Sequence, residues 1–199
     1  IPENENPMIK NPARGWVSSA NQMATDSSYP YYLGTARSFP LYRGIMINRR
    51  LAAMNDITAI DMQYLQMENY DVFAEMARPV ILKNIDENKL TVTERKYIGI
   101  LRDWNFRNEI TAQGATVFKA IWDSLEQVVW KDDFQDAKNP LPWPESSTLL
   151  EGLLRGGIYR FADNISTKDK VETIQDDVME ACKKASVYLE KLEKEEEKL

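Results

Sequence analysis

The residues available for chemistry in this chain are carboxylates, lysines, arginines, amides and hydroxyls, because its 199 residues include no histidine and a single cysteine, Cys182. Without histidine there is no Ser-His-Asp or Cys-His catalysis and no imidazole metal ligand. One cysteine allows neither an internal disulfide nor a cysteine-based metal site. Paired acids are the remaining routine candidates for proton transfer. Asp132/Asp133 and Asp176/Asp177 are such pairs, and their polar surroundings in the sequence predict solvated helix faces or loops. Cys182 falls in an apolar helical stripe and reads as a small buried hydrophobe. Tryptophans and methionines recur at helical spacing and read as core.

Composition narrows the function classes. A formal net charge of −6 argues against a nucleic-acid partner, which would need a basic stripe. Arg43, Arg49 and Arg50 come nearest to one and are interrupted by apolar residues. The chain has no apolar run long enough to span a bilayer, so no membrane partner is expected. Its first residues, Ile1-Pro2-Glu3-Asn4-Glu5-Asn6-Pro7, lack the basic and apolar regions of a signal peptide.

The elements that must position any site divide at about residue 42. Residues 1–42 carry Pro2, Pro7, Pro12, Pro30 and Pro40 with Gly15 and Gly34, and read as an extended segment. Within it Gly15-Trp16-Val17-Ser18-Ser19-Ala20 reads as one short strand whose partners must come from elsewhere. Residues 43–199 read as a helical domain. Ile45, Ile47, Leu51 and Met54 fit a first helix. Thr58 with Asp61 is a capping-box variant opening a second, which carries Tyr64, Leu65, Val72, Phe73 and Met76 and is stopped or kinked at Pro79. Thr91-Val92-Thr93-Glu94 opens a helix with Tyr97, Ile98, Leu101 and Trp104. Another helix runs from about Gly114 to Phe134. After the rigid linker Asn139-Pro140-Leu141-Pro142-Trp143-Pro144, a short helix from Ser146 or Ser147 ends at Gly156-Gly157. Ser166-Thr167 are expected to cap a final long helix. Its stripe is Val171, Ile174, Val178, Cys182, Ala185, Leu189 and Leu192, and its end, Glu193 to Lys198, is a solvated charged tail. The fold class is mainly α, a multi-helix lobe with a short extended or β N-terminal segment.

One stretch goes beyond such patterning. Asn11-Pro12-Ala13-Arg14-Gly15-Trp16-Val17-Ser18-Ser19-Ala20-Asn21, followed by Tyr29-Pro30, resembles a motif of the penicillin acylase family of N-terminal-nucleophile hydrolases. The resemblance continues in the arginine-bearing stretch Arg43 to Leu51 and in Ile57-Thr58-x-x-Asp61-x-x-x-Leu65-Gln66. Leu101-Arg102-Asp103-Trp104-Asn105, Ala115 to Trp122 and Phe161-Ala162-Asp163-Asn164-Ile165-Ser166-Thr167 extend it further. No single motif is decisive, and their order and spacing carry the likeness over most of the chain.

The resemblance implies a precursor that cuts itself to expose an N-terminal serine whose own α-amine acts as base, so that histidine is not needed. It implies that Asn21 offers its side-chain amide to the oxyanion of acyl transfer. It also implies that an arginine orients the nucleophile, and Arg43, 22 residues after Asn21, is the ungapped match. A three-residue shift would put Met46 there instead. Read from the residues alone, Asn21 has the alternative of an Asx-turn, and Arg43 that of a surface or ion-pair residue near Tyr42 and Arg37.

In the family the serine, its sheet and the second oxyanion donor precede the position of Ile1. This chain is therefore expected to be an internal piece, inactive by itself, that forms a helical lobe beside an αββα core and needs the remaining segments of the parent enzyme. The parent is expected to hydrolyse an acyl-amide, with penicillins and acylated lactones among the candidates, in the periplasm or outside the cell. Some relatives bind calcium through an acid near the Tyr-Pro pair. Tyr31, Tyr32 and Leu33 stand there, so no cofactor or metal site is expected. Two rivals remain: a non-catalytic helical interaction module using the face of Val171, Ile174 and Val178, and a degenerate acylase homologue without a nucleophile.

Overall fold

The structure is a computed structural model that describes residues 1–33, 40–135 and 138–196. Arg37, the expected neighbour of Arg43, and Glu197 and Lys198 of the charged tail lie outside the described residues. The described residues form seven α-helices: α1 Tyr42–Ala53, α2 Ala59–Gln66, α3 Val72–Lys83, α4 Val92–Asp103, α5 Gln113–Trp130, α6 Ser146–Arg155 and α7 Ile174–Glu196. The mainly helical class read from the sequence is the class observed.

The chain forms two compact units, Ile1–Val72 and Phe73–Leu199. The expected division after residue 42 marks where helix begins, but the compact unit runs on to Val72. The reason lies in α1, which is hydrogen-bonded to the irregular segment before it. Ser18 Oγ donates to Asn48 Oδ1 at 3.1 Å, and Arg43 Nη2 donates to Asn21 Oδ1 at 2.5 Å.

In the first unit the expected strand at Gly15–Ala20 is absent: no ladder forms there among the described residues. A strand is stabilised by a partner that takes up its backbone groups, and none is supplied here. A turn dominates instead. The Gly15 N–H donates to the Pro12 carbonyl at 2.9 Å, and Gly15 has φ of +77°, a conformation that suits glycine. The Arg14 guanidinium lies over the Trp16 ring, 4.1 Å from its centroid. The buried groups of α1 are Gly44, Met46 and Leu51; Ile45 and Ile47 are only half-buried. The Thr58/Asp61 capping box forms at the start of α2 with both reciprocal bonds.

The helix expected to continue through Val72 to Pro79 is instead two helices, broken between Met67 and Asp71, and Pro79 sits inside α3. A proline interrupts one backbone hydrogen bond, that to the residue four earlier, and α3 tolerates this while burying Val72, Ala74, Ala77 and Ile81.

The second unit is built on α5, which packs on α7 and α4, while α4 also meets α7. The stripe of α5 explains this: Val117, Phe118, Ile121, Trp122, Leu125 and Val129 are all buried at three- and four-residue spacing. Fully burying each such side chain contributes roughly 1.5–3 kcal/mol over leaving it exposed. Gly114 allows the close approach of Trp104, since a Cβ there would sit 2.2 Å from the indole Cγ. The C-terminus of α4 is closed by Arg78, whose Nη1 donates to the carbonyls of Arg102 at 3.0 Å and Trp104 at 2.6 Å.

The expected cap at Ser166-Thr167 is not where α7 begins. Thr173 caps it: the Asp176 N–H donates to Thr173 Oγ1 at 3.4 Å, and the Thr173 N–H donates to Asp176 Oδ2 at 3.0 Å. Thr167 instead donates to Glu172 Oε2 at 2.9 Å inside the preceding loop. Val171 therefore lies outside the helix and is exposed, whereas Val178, Cys182, Ala185 and Leu189 are buried on its packed face.

Candidate functional site

The segment 18–22 and the first turns of α1 form the candidate site. Ala20 is buried, and it draws the residues on either side against α1. Asn21 follows with φ of +57°, a left-handed conformation that asparagine accepts more readily than most residues. The turn points its side chain at Arg43, the second residue of α1, and Arg43 Nη2 donates to Asn21 Oδ1 at 2.5 Å. Both residues are exposed.

That bond decides how the amide can act. A guanidinium only donates, so the atom facing it must be the carbonyl oxygen, and the amide nitrogen faces away. Neither N–H of Asn21 Nδ2 has a protein acceptor among the described residues. The arrangement is a pair of free N–H donors whose amide is polarised by an adjacent fixed cation, a geometry suited to an anionic oxygen. The Asx-turn alternative is not adopted, because Oδ1 accepts from Arg43 rather than from a backbone N–H two residues on. Met46, the alternative partner under a shifted alignment, is buried in α1, while Arg43 is the residue that reaches Asn21.

Three residues not singled out from the sequence hold this pair together. Asn48 accepts from Ser18 Oγ, and its Nδ2 donates to the Gly44 carbonyl at 2.7 Å, so one amide ties the Asn21 segment to the turn carrying Arg43. Gln22 donates to the Ser18 carbonyl at 3.2 Å. Gly44 leaves room for it: a Cβ at Gly44 would lie 2.9 Å from Gln22 Oε1. The one available sequence signal was the four-residue spacing of Gly44 and Asn48.

Around Tyr29-Pro30 the polar groups are engaged with each other. The Tyr29 and Tyr31 hydroxyls donate to the Glu5 carbonyl and to Glu5 Oε2, each at 2.7 Å. Donation to Glu5 raises the Tyr31 hydroxyl above its ordinary range. Asp26 Oδ1 accepts from Ser28 Oγ and N, and these bonds hold its carboxyl below the usual range.

The acid pairs correct the expectation of solvated carboxylates, since one member of each is buried. Asp132 accepts from the Ile165 N–H at 2.7 Å, which anchors the loop before α7 on the turn after α5. Asp177 is buried in the first turns of α7. Desolvation, then the neighbouring Asp176, Glu172 and Asp132, pushes its carboxyl up to about 7. Its partner Asp176 is held at about 2, chiefly by the Lys170 ammonium. Cys182 is buried and its thiol is pushed up to about 12 by desolvation. The surface expected for an interaction module is likewise not continuous, because Val178 is in the core and Val171 is off the helix.

No helix among the described residues is long and apolar enough to cross a membrane. A model of the penicillin amidase family matches residues 1–198, nearly the entire chain. With nearly the entire chain matched, the chain belongs to the penicillin amidase family.

Proposed function

We propose that this chain supplies the oxyanion-binding amide and its positioning arginine to an acyl-amide hydrolase. In this reading the nucleophile is an N-terminal serine carried upstream of Ile1, and its own α-amine is the base. The serine oxygen adds to the substrate carbonyl, and the carbonyl oxygen becomes an anion that Asn21 Nδ2 stabilises by donating. The amine then leaves with a proton, and water hydrolyses the acyl-enzyme. Arg43 does not react. It holds Asn21 Oδ1, keeps the N–H end of the amide turned outward, and adds positive potential where negative charge develops.

The observation that carries the reading is the Arg43–Asn21 bond, which joins residues 22 apart in a chain that belongs to the family. The substrate is an acyl-amide of unassigned acyl group, acted on in the periplasm or outside the cell. The chain by itself has no activity because the serine is supplied by the remaining segments of the parent enzyme.

The test is steady-state hydrolysis of a chromogenic acyl-amide by the complete protein, by this chain alone, and by the complete protein carrying Asn21→Ala. The complete protein turns over substrate and the chain alone does not. Asn21→Ala lowers kcat by about 10²–10³-fold, the usual cost of one oxyanion donor, with an unchanged thermal midpoint. Full activity in Asn21→Ala would remove this residue from the reaction. Absence of activity in the complete protein across several acyl groups would favour a degenerate homologue.

A further inference from the structure

Residues Trp16 to Asn21 alternate in burial. Trp16 and Ser18 are half-buried and Ala20 is buried, while Val17, Ser19 and Asn21 are exposed. A two-residue alternation is that of an extended strand with one face turned to a core. The inward face is fixed, because Ser18 Oγ donates to Asn48 on α1. The segment nonetheless forms no ladder. None of the N–H groups from Trp16 to Asn21 donates to a protein acceptor among the described residues.

The two edges of this segment differ. In an extended chain the N–H and C=O of one residue point to the same edge, and those of the next residue to the opposite edge. The edge of Trp16 and Ser18 is taken up by side chains of the same segment. The Trp16 carbonyl accepts from Arg14 Nε at 2.9 Å, and the Ser18 carbonyl accepts from Gln22 Nε2 at 3.2 Å. The edge of Val17 and Ser19 has no backbone group engaged among the described residues. Such a row of free donors and acceptors is a template for one further extended backbone. Val17 is 55% exposed on the outward face, apolar area that the side chains of a neighbouring strand would cover.

We infer that the Val17–Ser19 edge is a docking surface for a β-strand, and that its occupant is the strand carrying the N-terminal serine. The choice of occupant rests on the function proposed above; the open edge does not. An oxyanion donor sits about 2.7–3.1 Å from the anionic oxygen, and a nucleophile about 3 Å from the carbonyl carbon it attacks. The serine oxygen must then lie within roughly 7 Å of Asn21 Nδ2. Paired strands lie about 4.8 Å apart, so the serine's segment fits as the next strand along this edge. Asn21, with φ of +57°, ends the extended run two residues after Ser19. Pairing therefore stops short of the Asn21 amide and leaves its N–H end open to substrate.

The experiment is hydrogen–deuterium exchange on this chain and on the complete protein without substrate, resolved to single residues by mass spectrometry. In this chain the Val17 and Ser19 amides exchange as fast as in an unstructured peptide. In the complete protein they slow by at least about 100-fold, and by more than those of Trp16 and Ser18. Ser19→Pro removes one donor from the open edge. In this chain it leaves the thermal midpoint unchanged, because that N–H has no partner here. In the complete protein it speeds exchange in the peptide that begins with the serine. Should the complete variant not fold, the exchange pattern of the unaltered protein decides alone. Fast exchange at Val17 and Ser19 in the complete protein would overturn the inference. So would protection confined to Trp16 and Ser18, or a Ser19→Pro effect confined to a segment without the serine. Protection that appears only when a chromogenic acyl-amide is added in excess would also overturn it, giving the edge to the substrate. Exchange needs no turnover, which separates the two readings. Hydrolysis without protection sinks this inference and spares the function. Protection without hydrolysis sinks the function, and the occupant with it, and leaves the edge as a strand-docking surface.

Discussion

Asn21, Gly114 and Cys182 show how differently single residues are determined. Asn21 is set by a left-handed backbone and one bond to Arg43, so under the proposed function its removal is read in kinetics. Gly114 is set by space. A methyl group there would meet the Trp104 indole 2.2 Å away, at the root of a buried side chain that cannot swing aside cheaply. Gly114→Ala should therefore destabilise the second unit by about 1–3 kcal/mol, the usual cost of overpacking a core, read as a lower denaturant midpoint at unchanged slope. Cys182 is set by burial, which pushes its thiol up to about 12 and leaves almost no thiolate at neutral pH. Labelling of the folded chain by a thiol reagent at pH 7.5 should be slow and should accelerate sharply in denaturant. Rapid labelling of the native chain would show that α7 opens or is packed otherwise.

At the scale of elements, local rules were obeyed where they act within a few residues and overridden where packing intervened. Both capping boxes, at Thr58/Asp61 and Thr91/Glu94, form as their spacing requires. Gly156 ends α6 with φ of +72°. Ser166-Thr167 has the composition of a cap, but Asn164, Asp163 and Asp132 take up the backbone N–H groups of Ser166, Glu172 and Ile165 and hold the loop before α7 non-helical. Thr173, with Asp176 three residues on, then caps the helix. The clamp on the candidate site also belongs to this scale. Asn48→Ala removes the bond from Ser18 and the bond to Gly44, and should cost about 1 kcal/mol of local stability. It should lower kcat of the complete protein more than it raises KM, because Asn21 would be held less firmly. A change confined to KM would show that the clamp shapes substrate binding instead.

At the scale of the whole molecule, the buried acid gives stability a sign with pH. Asp177 has a folded-state carboxyl raised from 3.8 to about 7, so the native chain binds more protons than the unfolded one between these values. Stability from this group is therefore present at low pH and lost as pH rises from about 4 through about 7. Asp176 acts oppositely, since its lowered carboxyl contributes stability that is lost only as pH falls below 3.8 toward about 2. Asp177→Asn should raise stability at pH 8 by about 1–2 kcal/mol and flatten the slope between pH 4 and 7, measured by urea unfolding. An unchanged slope would mean that Asp177 titrates like an exposed acid.

The sequence by itself determined the helical class, the capping boxes, the core stripe of α5, the inert cysteine and the family, because each rests on periodicity, on local hydrogen bonds or on ordered motifs along the chain. It also placed Asn21 and Arg43 at the spacing that lets them meet. Only the tertiary structure decided that they do meet, which end of the amide faces outward, and that Asn48 and Gly44 seat the pair. It alone separated the half-buried members of the two acid pairs from buried Asp132 and Asp177, and placed the unit boundary at Val72 rather than at the first helix. These outcomes turn on which distant groups desolvate or bond a side chain, and distance along the chain carries no record of that.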